Sequence, residues 1–152
     1  MSKINIYSIV KPSKDEFDTL IKEFIKMSSK YAKVEVHYIF NKNIAKAQTI
    51  GEKEAQQAYS DTYEPLLKGY NIALDVLGKK VDTYAFSSLI DDKNEVNFFI
   101  GGAFGFQRDF LSKCDTIISL SDLTMAHKVA NMVLTEQIFR ALCIQNNHPY
   151  HK

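Results

Sequence analysis

The sequence predicts an α/β fold in which helices cover both faces of a mainly parallel sheet of five to six strands. Short apolar runs typical of strands alternate along the chain with amphipathic stretches typical of helices. The chain has 152 residues, of which 45% are hydrophobic and 24% are charged. This length and composition fit a single folded domain that spans residues 1–152.

The first third of the chain contains two strand patterns with a helix pattern between them. An apolar run within residues 4–9 predicts the first strand. Ser13 and Glu16 have the spacing of a capping box, and apolar residues follow them at helical spacing, which predicts an amphipathic helix. Residues 33–40 alternate in polarity, so we expect a strand with one better-buried face near an edge of the sheet.

The middle of the chain continues the alternation of helix and strand. A second helix is predicted within residues 43–67, where Gly51 weakens the first turns. The apolar run 72–76 lies between two glycines and predicts a buried strand. Asp82 has the position of an N-cap for a short helix that ends near Ile90.

The final third repeats the alternation and ends in a long helix. Residues 96–100 and 116–120 predict two further strands, with a short helix at 106–113 between them. The last helix, predicted at 126–144, carries more apolar residues than one core-facing stripe requires. The excess indicates a second buried face, either deeper in the core or against another subunit, and it favours a homodimer.

Composition argues against several classes of protein. The formal net charge of +1 provides no strongly basic surface that would by itself indicate nucleic-acid binding. No segment approaches the roughly 20 apolar residues of a membrane-spanning helix, and no signal peptide precedes the first strand. Cys114 and Cys143 lack the spacing of a metal site or a disulfide framework. We therefore expect a cytoplasmic protein with free thiols, no bound metal and no membrane partner.

The loops after the last three predicted strands are candidates for a ligand site, because ligands of open parallel sheets bind at the carboxyl ends of strands. These loops include residues 74–78, 101–105 and 120–124. Three of the six glycines lie within residues 101–105, where glycine lets a ligand approach the backbone closely. A cofactor pocket and an ordinary tight turn both explain this segment. Its spacing differs from the dinucleotide-binding pattern, and the chain has no nucleotide phosphate loop.

The C-terminal segment 146–152 is rich in groups that donate hydrogen bonds or stack. Tyr150 and His151 have the chemistry to contact a base or a phosphate, and a frayed terminus is the alternative. Arg140 is either a surface cation or a functional residue on the last helix. His127, near the start of that helix, is expected to orient a loop or to cap backbone groups.

Four motifs in the C-terminal half together resemble those of the RlmH family, a minimal class of SPOUT methyltransferase. They are Phe99–Gly102, Leu120–His127, Thr135–Ala141 and Asn147–His151. Length and element order fit the family along the whole chain, whereas the specific motifs lie almost entirely after Phe98. The chain departs from the family at Ala126, where a proline is expected, so the start of the last helix is less preorganised.

The resemblance implies an enzyme that uses S-adenosylmethionine to methylate N3 of a pseudouridine in 23S ribosomal RNA. It also implies a homodimer and a C-terminal trefoil knot, a feature that periodicity and composition do not predict. We expect the substrate to be a preassembled RNA or ribosomal surface, because the near-neutral charge argues against recognition by nonspecific phosphate attraction.

Carried over by position, the resemblance implies a cofactor site at the three strand ends named above. Its residues are Leu74, Gly101, Leu120, Ser121, Asp122, Leu123, Thr124 and Met125. Our hypothesis for the catalytic side is that His151 assists loss of the N3 proton or contacts the nucleotide. Tyr150 then stacks or donates a hydrogen bond, and Arg140 binds a phosphate or anchors the tail. We expect the tail of one subunit to approach the pocket of the other.

Two other functions fit parts of the sequence. A non-catalytic RNA-binding or ribosome-binding module on the same fold would bind RNA without binding the cofactor. A flavodoxin-like or other small-ligand α/β protein would hold a phosphate in the same loops, although the chain lacks a convincing phosphate loop.

Overall fold

The computed structural model describes residues 1–152 and contains one five-stranded sheet. The strands are β1 (Ser2–Ile9), β2 (Ala32–Ile39), β3 (Tyr70–Lys80), β4 (Glu95–Ile100) and β5 (Thr116–Ser119). They lie in the order β2-β1-β4-β3-β5, and all neighbouring strands are parallel. The predicted α/β class is confirmed, and β2 lies at an edge as its alternating pattern predicted.

Helices cover both faces of the sheet. They are α1 (Glu16–Ser28), α2 (Lys42–Ile50), α3 (Glu52–Tyr63), α4 (Thr83–Ile90), α5 (Arg108–Ser112) and α6 (His127–Gln145). On one face, α6 packs against both α1 and α4. On the other face, α2, α3 and α5 enclose a second core. None of the helices combines the length and the apolar character that crossing a membrane demands.

Two hydrophobic cores form because successive strand residues point to opposite faces of the sheet. On β4, Phe98 belongs to the core beneath α6, whereas Phe99 belongs to the core beneath α3. Ile6 and Tyr7 of β1 divide between the two cores in the same way. All four side chains are buried, which explains why these strands are apolar at consecutive positions.

The first helix begins later than its predicted capping box implies. Asp15 is the N-cap, and its carboxylate accepts the backbone N–H of Asp18 at 3.2 Å. The Asp18 carboxylate accepts the Asp15 N–H at 3.0 Å, which completes the box. The pairing of Ser13 with Glu16 is therefore wrong. The sequence holds two overlapping candidates at this spacing, and the aspartate pair forms the box.

The single helix predicted within residues 43–67 is two helices that meet at Gly51. The backbone of Gly51 is extended, with φ 161° and ψ −178°, so α2 ends there and α3 begins. A short 3-10 turn at Glu64–Leu66, which contains Pro65, follows α3. Gly51 therefore divides the segment rather than weakening one helix.

β3 is longer than the predicted apolar run and contains an irregularity. Its pairing with β5 shifts register between Leu74 and Lys79, so the residues between them leave the ladder. Gly78 lies in this bulge, where a Cβ would come within 2.7 Å of the Ile118 carbonyl carbon. The bulge borders the cavity described below.

The elements after β3 begin and end within two residues of their predicted bounds. Asp82 is the N-cap of α4, as predicted, and its carboxylate accepts the backbone N–H of Ala85 at 2.8 Å. Cys114 and Cys143 are free thiols. Burial raises the pKa of Cys114 to about 12, so this thiol is protonated at neutral pH.

The packing of α6 on three sides explains why this helix carries more apolar residues than one core-facing stripe requires. Every residue from His127 to Gln145 is buried or half-buried. The helix contacts α1 on one side and α4 on the other, and its residues pack against the sheet core. The predicted second buried face is therefore present within the chain, and the homodimer stays a prediction.

Candidate functional site

A cavity of about 330 Å³ opens at the carboxyl edge of the sheet. It is lined by the ends of β3 and β4, the segment after β5 and the first turn of α6. Most of the residues predicted to bind a cofactor line it, namely Leu74, Gly101, Leu120, Ser121, Leu123, Thr124 and Met125. Asp122 does not line the cavity, because its carboxylate pairs with Lys80 at 2.5 Å on the surface. The structure thus brings the three predicted strand ends around one volume.

Residues 101–107, the glycine loop, form one wall of the cavity. The N–H of Gly105 donates to the carbonyl of Gly102 at 3.0 Å, and Gly105 has a φ of 74° that favours glycine. Gly102 has no room for a side chain, because a Cβ there would lie 2.3 Å from Cζ of Tyr59. The tight turn and the approach to α3 both require glycine, while Gly101 faces the cavity.

Residues 120–126, the β5–α6 loop, form another wall. The hydroxyl of Ser121 accepts the backbone N–H of Leu123 at 3.0 Å. The hydroxyl of Ser119 donates to the carbonyl of Ser121 at 2.9 Å. Leu123 is 74% exposed although it also lines the cavity. This wall is held by local hydrogen bonds and presents apolar surface to solvent.

Buried polar groups lie beside the cavity at the start of α6. Asn131 Nδ2 donates to the Ser8 hydroxyl at 2.8 Å and to the His127 carbonyl at 3.0 Å. His127 is among the residues that line the cavity. Burial lowers the pKa of His127, and a hydrogen bond with the Ile9 backbone opposes that shift. The ring is therefore neutral at physiological pH, and it faces the cavity as well as occupying the expected position at the start of the helix.

An ion-pair cluster ties the start of α6 to α1. Lys128 Nζ lies 3.0 Å from Asp18 Oδ1 and 3.4 Å from Asp15 Oδ2, and it sits over the Tyr38 ring. Burial alone would raise the pKa of Asp18, but hydrogen bonds with Lys128, the Asp15 backbone and Tyr38 lower it overall. The N-cap residue Ala126 offers no side-chain cap, so this cluster fixes the beginning of the helix.

The C-terminal tail folds back onto α6 and is not frayed. The Tyr150 ring packs edge-on against Phe139 with centroids 4.7 Å apart, and its hydroxyl donates to Glu136 Oε1 at 3.0 Å. The Arg140 guanidinium lies over the Tyr150 ring and binds Glu136 at 2.6 Å. Arg140 Nη1 is 3.0 Å from His151 Nδ1. The three residues predicted as catalytic form, with Glu136, a tail cluster.

The tail cluster is remote from the cavity of its own chain. Arg140, Tyr150 and His151 do not line the cavity. Ala130 is the last residue of α6 that does, and Glu136 and Arg140 follow it by six and ten positions. At 1.5 Å per residue these separations are about 9 Å and about 15 Å along the helix axis. The structure therefore groups the predicted catalytic residues but does not place them at the predicted cofactor site of the same chain.

Sequence reasoning missed Glu136, Tyr84 and Asp75. The i,i+4 spacing of Glu136 and Arg140 is that of a helix ion pair, and this signal could have revealed the partner. Tyr84 packs edge-on against His151 with centroids 5.2 Å apart, a contact between α4 and the tail that no local pattern indicates. Asp75 is the only Asp, Glu, Lys or Arg residue that lines the cavity.

The cavity suits a small organic ligand. Its volume of about 330 Å³ lies at the lower end of the range of small-molecule sites. Apolar residues and two loops line it, and Asp75 is its one acidic or basic residue apart from His127. A phosphate would find no cationic side chain there, whereas a neutral or cationic ligand is favoured. Fold and site together define a parallel α/β protein with a small-ligand pocket at the carboxyl edge of its sheet.

Comparison with known proteins narrows this class. A family model described as "Predicted SPOUT methyltransferase" matches residues 2–151. The chain is 87% identical over 150 residues to the ribosomal RNA large subunit methyltransferase H of Aliarcobacter butzleri, with 99% of each chain covered. Proteins of the same name from Sulfurovum sp. and Campylobacter concisus are 51% identical over 152 residues and 49% identical over 150 residues. In both pairs 99% of each chain is covered.

The chain belongs to the SPOUT methyltransferase family and, within it, to the family of ribosomal RNA large subunit methyltransferase H, abbreviated RlmH. The resemblance carried by the four C-terminal motifs is thereby confirmed. The match extends along nearly the whole chain, including the N-terminal half, where the sequence agreed with the family only in its pattern of elements.

Proposed function

We propose that the chain is a single-domain methyltransferase that transfers a methyl group from S-adenosylmethionine to N3 of a pseudouridine in 23S ribosomal RNA. The charge of the cavity is the observation that carries this proposal. S-adenosylmethionine bears a sulfonium and an ammonium group beside its carboxylate, and Asp75 is the only Asp, Glu, Lys or Arg residue among those that line the cavity. One oxygen of the Asp75 carboxylate accepts the backbone N–H of Leu77 at 2.9 Å. The printed name of the relatives, ribosomal RNA large subunit methyltransferase H, supports ribosomal RNA as the acceptor.

In this proposal the donor is held at the strand ends mainly by backbone groups and apolar side chains. Leu74 and Gly101 contribute from β3 and the glycine loop, and residues 120–125 contribute from the β5–α6 loop. Asp122 lies outside the cavity lining, and in this proposal it contributes by tying the β5–α6 loop to Lys80. The lack of a Cβ at Gly101 leaves space for the donor beside the backbone.

Much of the catalysis that the protein supplies is positioning. When bound, the donor provides an electrophilic methyl group on a sulfur that leaves readily, so the chain must align the reactants and exclude water. The two loop walls fix the donor, and the apolar side chains of Leu74 and Leu120 exclude water from it. His127 stays neutral beside the cavity and adds no repulsion toward a cationic donor.

The tail cluster has the chemistry to hold the acceptor nucleotide. Arg140 has donors only, so the Nδ1 atom of His151 that faces it must accept, and the neutral ring carries its proton on Nε2. In this arrangement His151 offers an N–H to a base or phosphate oxygen, and the N3 proton that the methyl group replaces passes to water rather than to His151. Tyr150, held by Glu136, provides an aromatic ring for the nucleotide, and Arg140 anchors the tail.

We further propose that the active site forms between two subunits of a homodimer. Within one chain the tail cluster begins about 9 Å along the helix axis from Ala130, at Glu136, and reaches about 15 Å at Arg140. A second subunit could bring its tail to this cavity and complete the site. The cytoplasmic location, the ribosomal surface as substrate and the C-terminal trefoil knot belong to the same proposal.

Titration calorimetry with S-adenosylmethionine tests the cofactor assignment. We expect saturable binding by the wild-type protein and no binding of inorganic phosphate or flavin mononucleotide at the cavity. Mass mapping of 23S ribosomal RNA from cells with and without the gene would then identify the methylated nucleotide. Binding of RNA without binding of the donor would contradict the proposal and support a non-catalytic RNA-binding module.

A complementation experiment tests the shared active site. One variant carries Tyr150→Ala with His151→Ala, and a second carries Gly101→Val in the cavity wall. Each alone is expected to be inactive. Random mixing after joint refolding is expected to restore about one quarter of wild-type activity, because half of the dimers then hold one intact pair of tail and cavity. No recovery in verified mixed dimers would place both halves of the site in the same chain.

A single substitution tests the role of the tail histidine. His151→Ala is expected to lower methylation of the ribosomal substrate strongly while leaving the affinity for S-adenosylmethionine unchanged. Lys152→Ala is the matched control, because Lys152 lies in the same tail, is exposed and makes none of the contacts of the tail cluster. Normal methylation by His151→Ala would remove His151 from the site.

A further inference from the structure

Helix α3 holds the glycine loop from the side that faces away from the cavity. Four of its side chains lie on one helix face, at relative positions i, i+3, i+4 and i+7, and each contacts either the last residue of β4 or the glycine loop that follows it. They are Gln56, Tyr59, Ser60 and Tyr63. The contacts recur along residues 100–107, so the loop is supported over its whole length.

Three of these contacts are hydrogen bonds. Gln56 Nε2 donates to the carbonyl of Phe104 at 2.8 Å. The hydroxyl of Ser60 donates to the Gln107 side chain at 2.8 Å. At the end of β4, immediately before the loop, the hydroxyl of Tyr63 donates to the carbonyl of Ile100 at 2.6 Å. These bonds fix the two ends and the middle of the loop relative to the helix.

Tyr59 makes the closest approach to the loop. Its side chain is fully buried, and its ring lies against Gly102, where a Cβ would come within 2.3 Å of Cζ. Its hydroxyl donates to Gln48 Oε1 at 2.5 Å, which ties the ring to α2. Burial raises the pKa of this hydroxyl, and the backbone N–H groups of Phe104 and Ala103 oppose that rise. The hydroxyl therefore stays protonated and remains a donor to Gln48.

We propose that Tyr59 is a positioning residue for the methyl donor, since its ring, held by Gln48, sets how far the glycine loop reaches into the cavity. The inference rests on the proposed function. Tyr59 does not line the cavity, whereas Gly101, Gly102 and Ala103 do. The effect of Tyr59 on the donor is therefore transmitted through the backbone of the loop.

A compensating pair of substitutions tests this inference most directly. Gly102→Ala places a methyl group against the Tyr59 ring, so the loop must move toward the cavity, and we expect a loss of about tenfold or more in affinity for S-adenosylmethionine. Adding Tyr59→Leu removes the clashing ring atoms. We expect the double variant to bind the donor more tightly than Gly102→Ala alone, although it folds less stably than the wild type.

Tyr59→Phe provides a second test that keeps the ring and the core volume. It removes the bond to Gln48 and the contacts of the hydroxyl with the Phe104 and Ala103 N–H groups, and we expect the KM for S-adenosylmethionine to rise about threefold with kcat and the KM for the ribosomal substrate unchanged. Tyr70→Phe is the matched control. It removes one side-chain hydrogen bond, to Thr116, at the opposite end of β3, and should leave the donor KM unchanged.

These experiments distinguish failure of the proposed function from failure of the positioning role of Tyr59. If the folded wild-type protein binds no S-adenosylmethionine, the proposed function and this inference both fail. If the wild type binds and Gly102→Ala retains its affinity, or the double variant binds no better than Gly102→Ala, the positioning role alone is refuted. If Gly102→Ala does not fold, Tyr59→Phe decides, and a donor KM equal to that of the wild type or of Tyr70→Phe refutes the role.

Discussion

The glycine loop and the β5–α6 loop border the same cavity but are held in different ways. The glycine loop is fastened along its length to α3 by contacts between residues far apart in the sequence. The β5–α6 loop is held inside by bonds between near neighbours, and at its end by the Lys128 cluster. One wall is therefore built into the second core, whereas the other depends on its junction with α6.

This difference suggests that the two loops have different roles in ligand binding. A wall fixed over its length provides a reference position for a ligand at little reorganisation cost. The β5–α6 loop presents exposed residues, such as Leu123, to whatever covers the cavity. We infer that donor geometry depends on the glycine loop and that contact with the acceptor depends more on the β5–α6 loop.

Removing the anchor of the second wall should have the largest effect on stability. Lys128→Met leaves Asp15 and Asp18 without their shared cation, and we expect the free energy of unfolding to fall by about 3 kcal/mol. Urea denaturation at pH 7 measures this. Lys33→Met is the matched control, because its exposed pair with Glu35 should contribute less than about 1 kcal/mol. Equal losses in both variants would show that the anchor is no stronger than a surface pair.

The same anchor predicts a specific loss of stability in acid. The folded pKa of Asp18 is lowered, so its contribution is fully present above its unfolded pKa of about 4 and is lost as the pH falls through the folded pKa. The wild-type protein should therefore lose stability below about pH 4, and Lys128→Met should lose less over the same interval. Parallel curves of unfolding free energy against pH would contradict the pairing.

Removing the hydrogen bonds of Tyr63 beside the glycine loop should have the next largest effect on the free energy of unfolding. Tyr63→Phe removes a fully buried hydroxyl that lies within hydrogen-bond distance of the Ile100 and Tyr7 carbonyls, and we expect a loss of about 2 kcal/mol in urea denaturation. Tyr84→Phe, at a side chain that is 59% exposed, should change stability by less than about 0.5 kcal/mol. A Tyr63→Phe effect as small as that of the control would mean that the loop does not depend on this fastening.

His127, where the β5–α6 loop meets α6, is expected to have a smaller effect on the free energy of unfolding. The folded pKa of His127 is lowered, so the unfolded chain binds the proton more readily, and stability should fall as the pH drops below about 6.5. His127→Gln should make the dependence of unfolding free energy on pH between 7.5 and 5.5 flatter, and His148→Gln is the control. A slope unchanged by His127→Gln would assign the pH dependence elsewhere, for instance to His37, whose pKa is also lowered by burial.

The ion pair between Lys80 and Asp122 on the surface of the β5–α6 loop should contribute least to stability. Lys80 and Asp122 are 66% and 71% exposed, so Lys80→Ala is expected to cost less than about 0.5 kcal/mol, and less still in high salt. A double-mutant cycle with Asp122→Ala measures the pair itself. A coupling above about 1 kcal/mol would show that this loop is fixed more firmly than its exposure indicates.

Local patterns in the sequence predicted the parallel α/β class, the order of the elements and the edge position of β2. They also predicted the three strand ends that surround the cavity, because parallel strands bring their carboxyl ends to one edge. Errors arose where neighbouring signals compete. Asp15 formed the capping box in place of Ser13, and Gly51 divided one expected helix into two.

The sequence by itself determined which residues have the chemistry for the site, since glycine spacing, strand ends and motifs are properties of contiguous segments. Only the tertiary structure decided that Tyr59 supports Gly102, that Asp75 is the one charged side chain of the cavity and that the tail cluster lies away from it. These relations join residues distant along the chain, and no local periodicity encodes them. They arise because helices packed on both faces of the sheet bring such residues into contact.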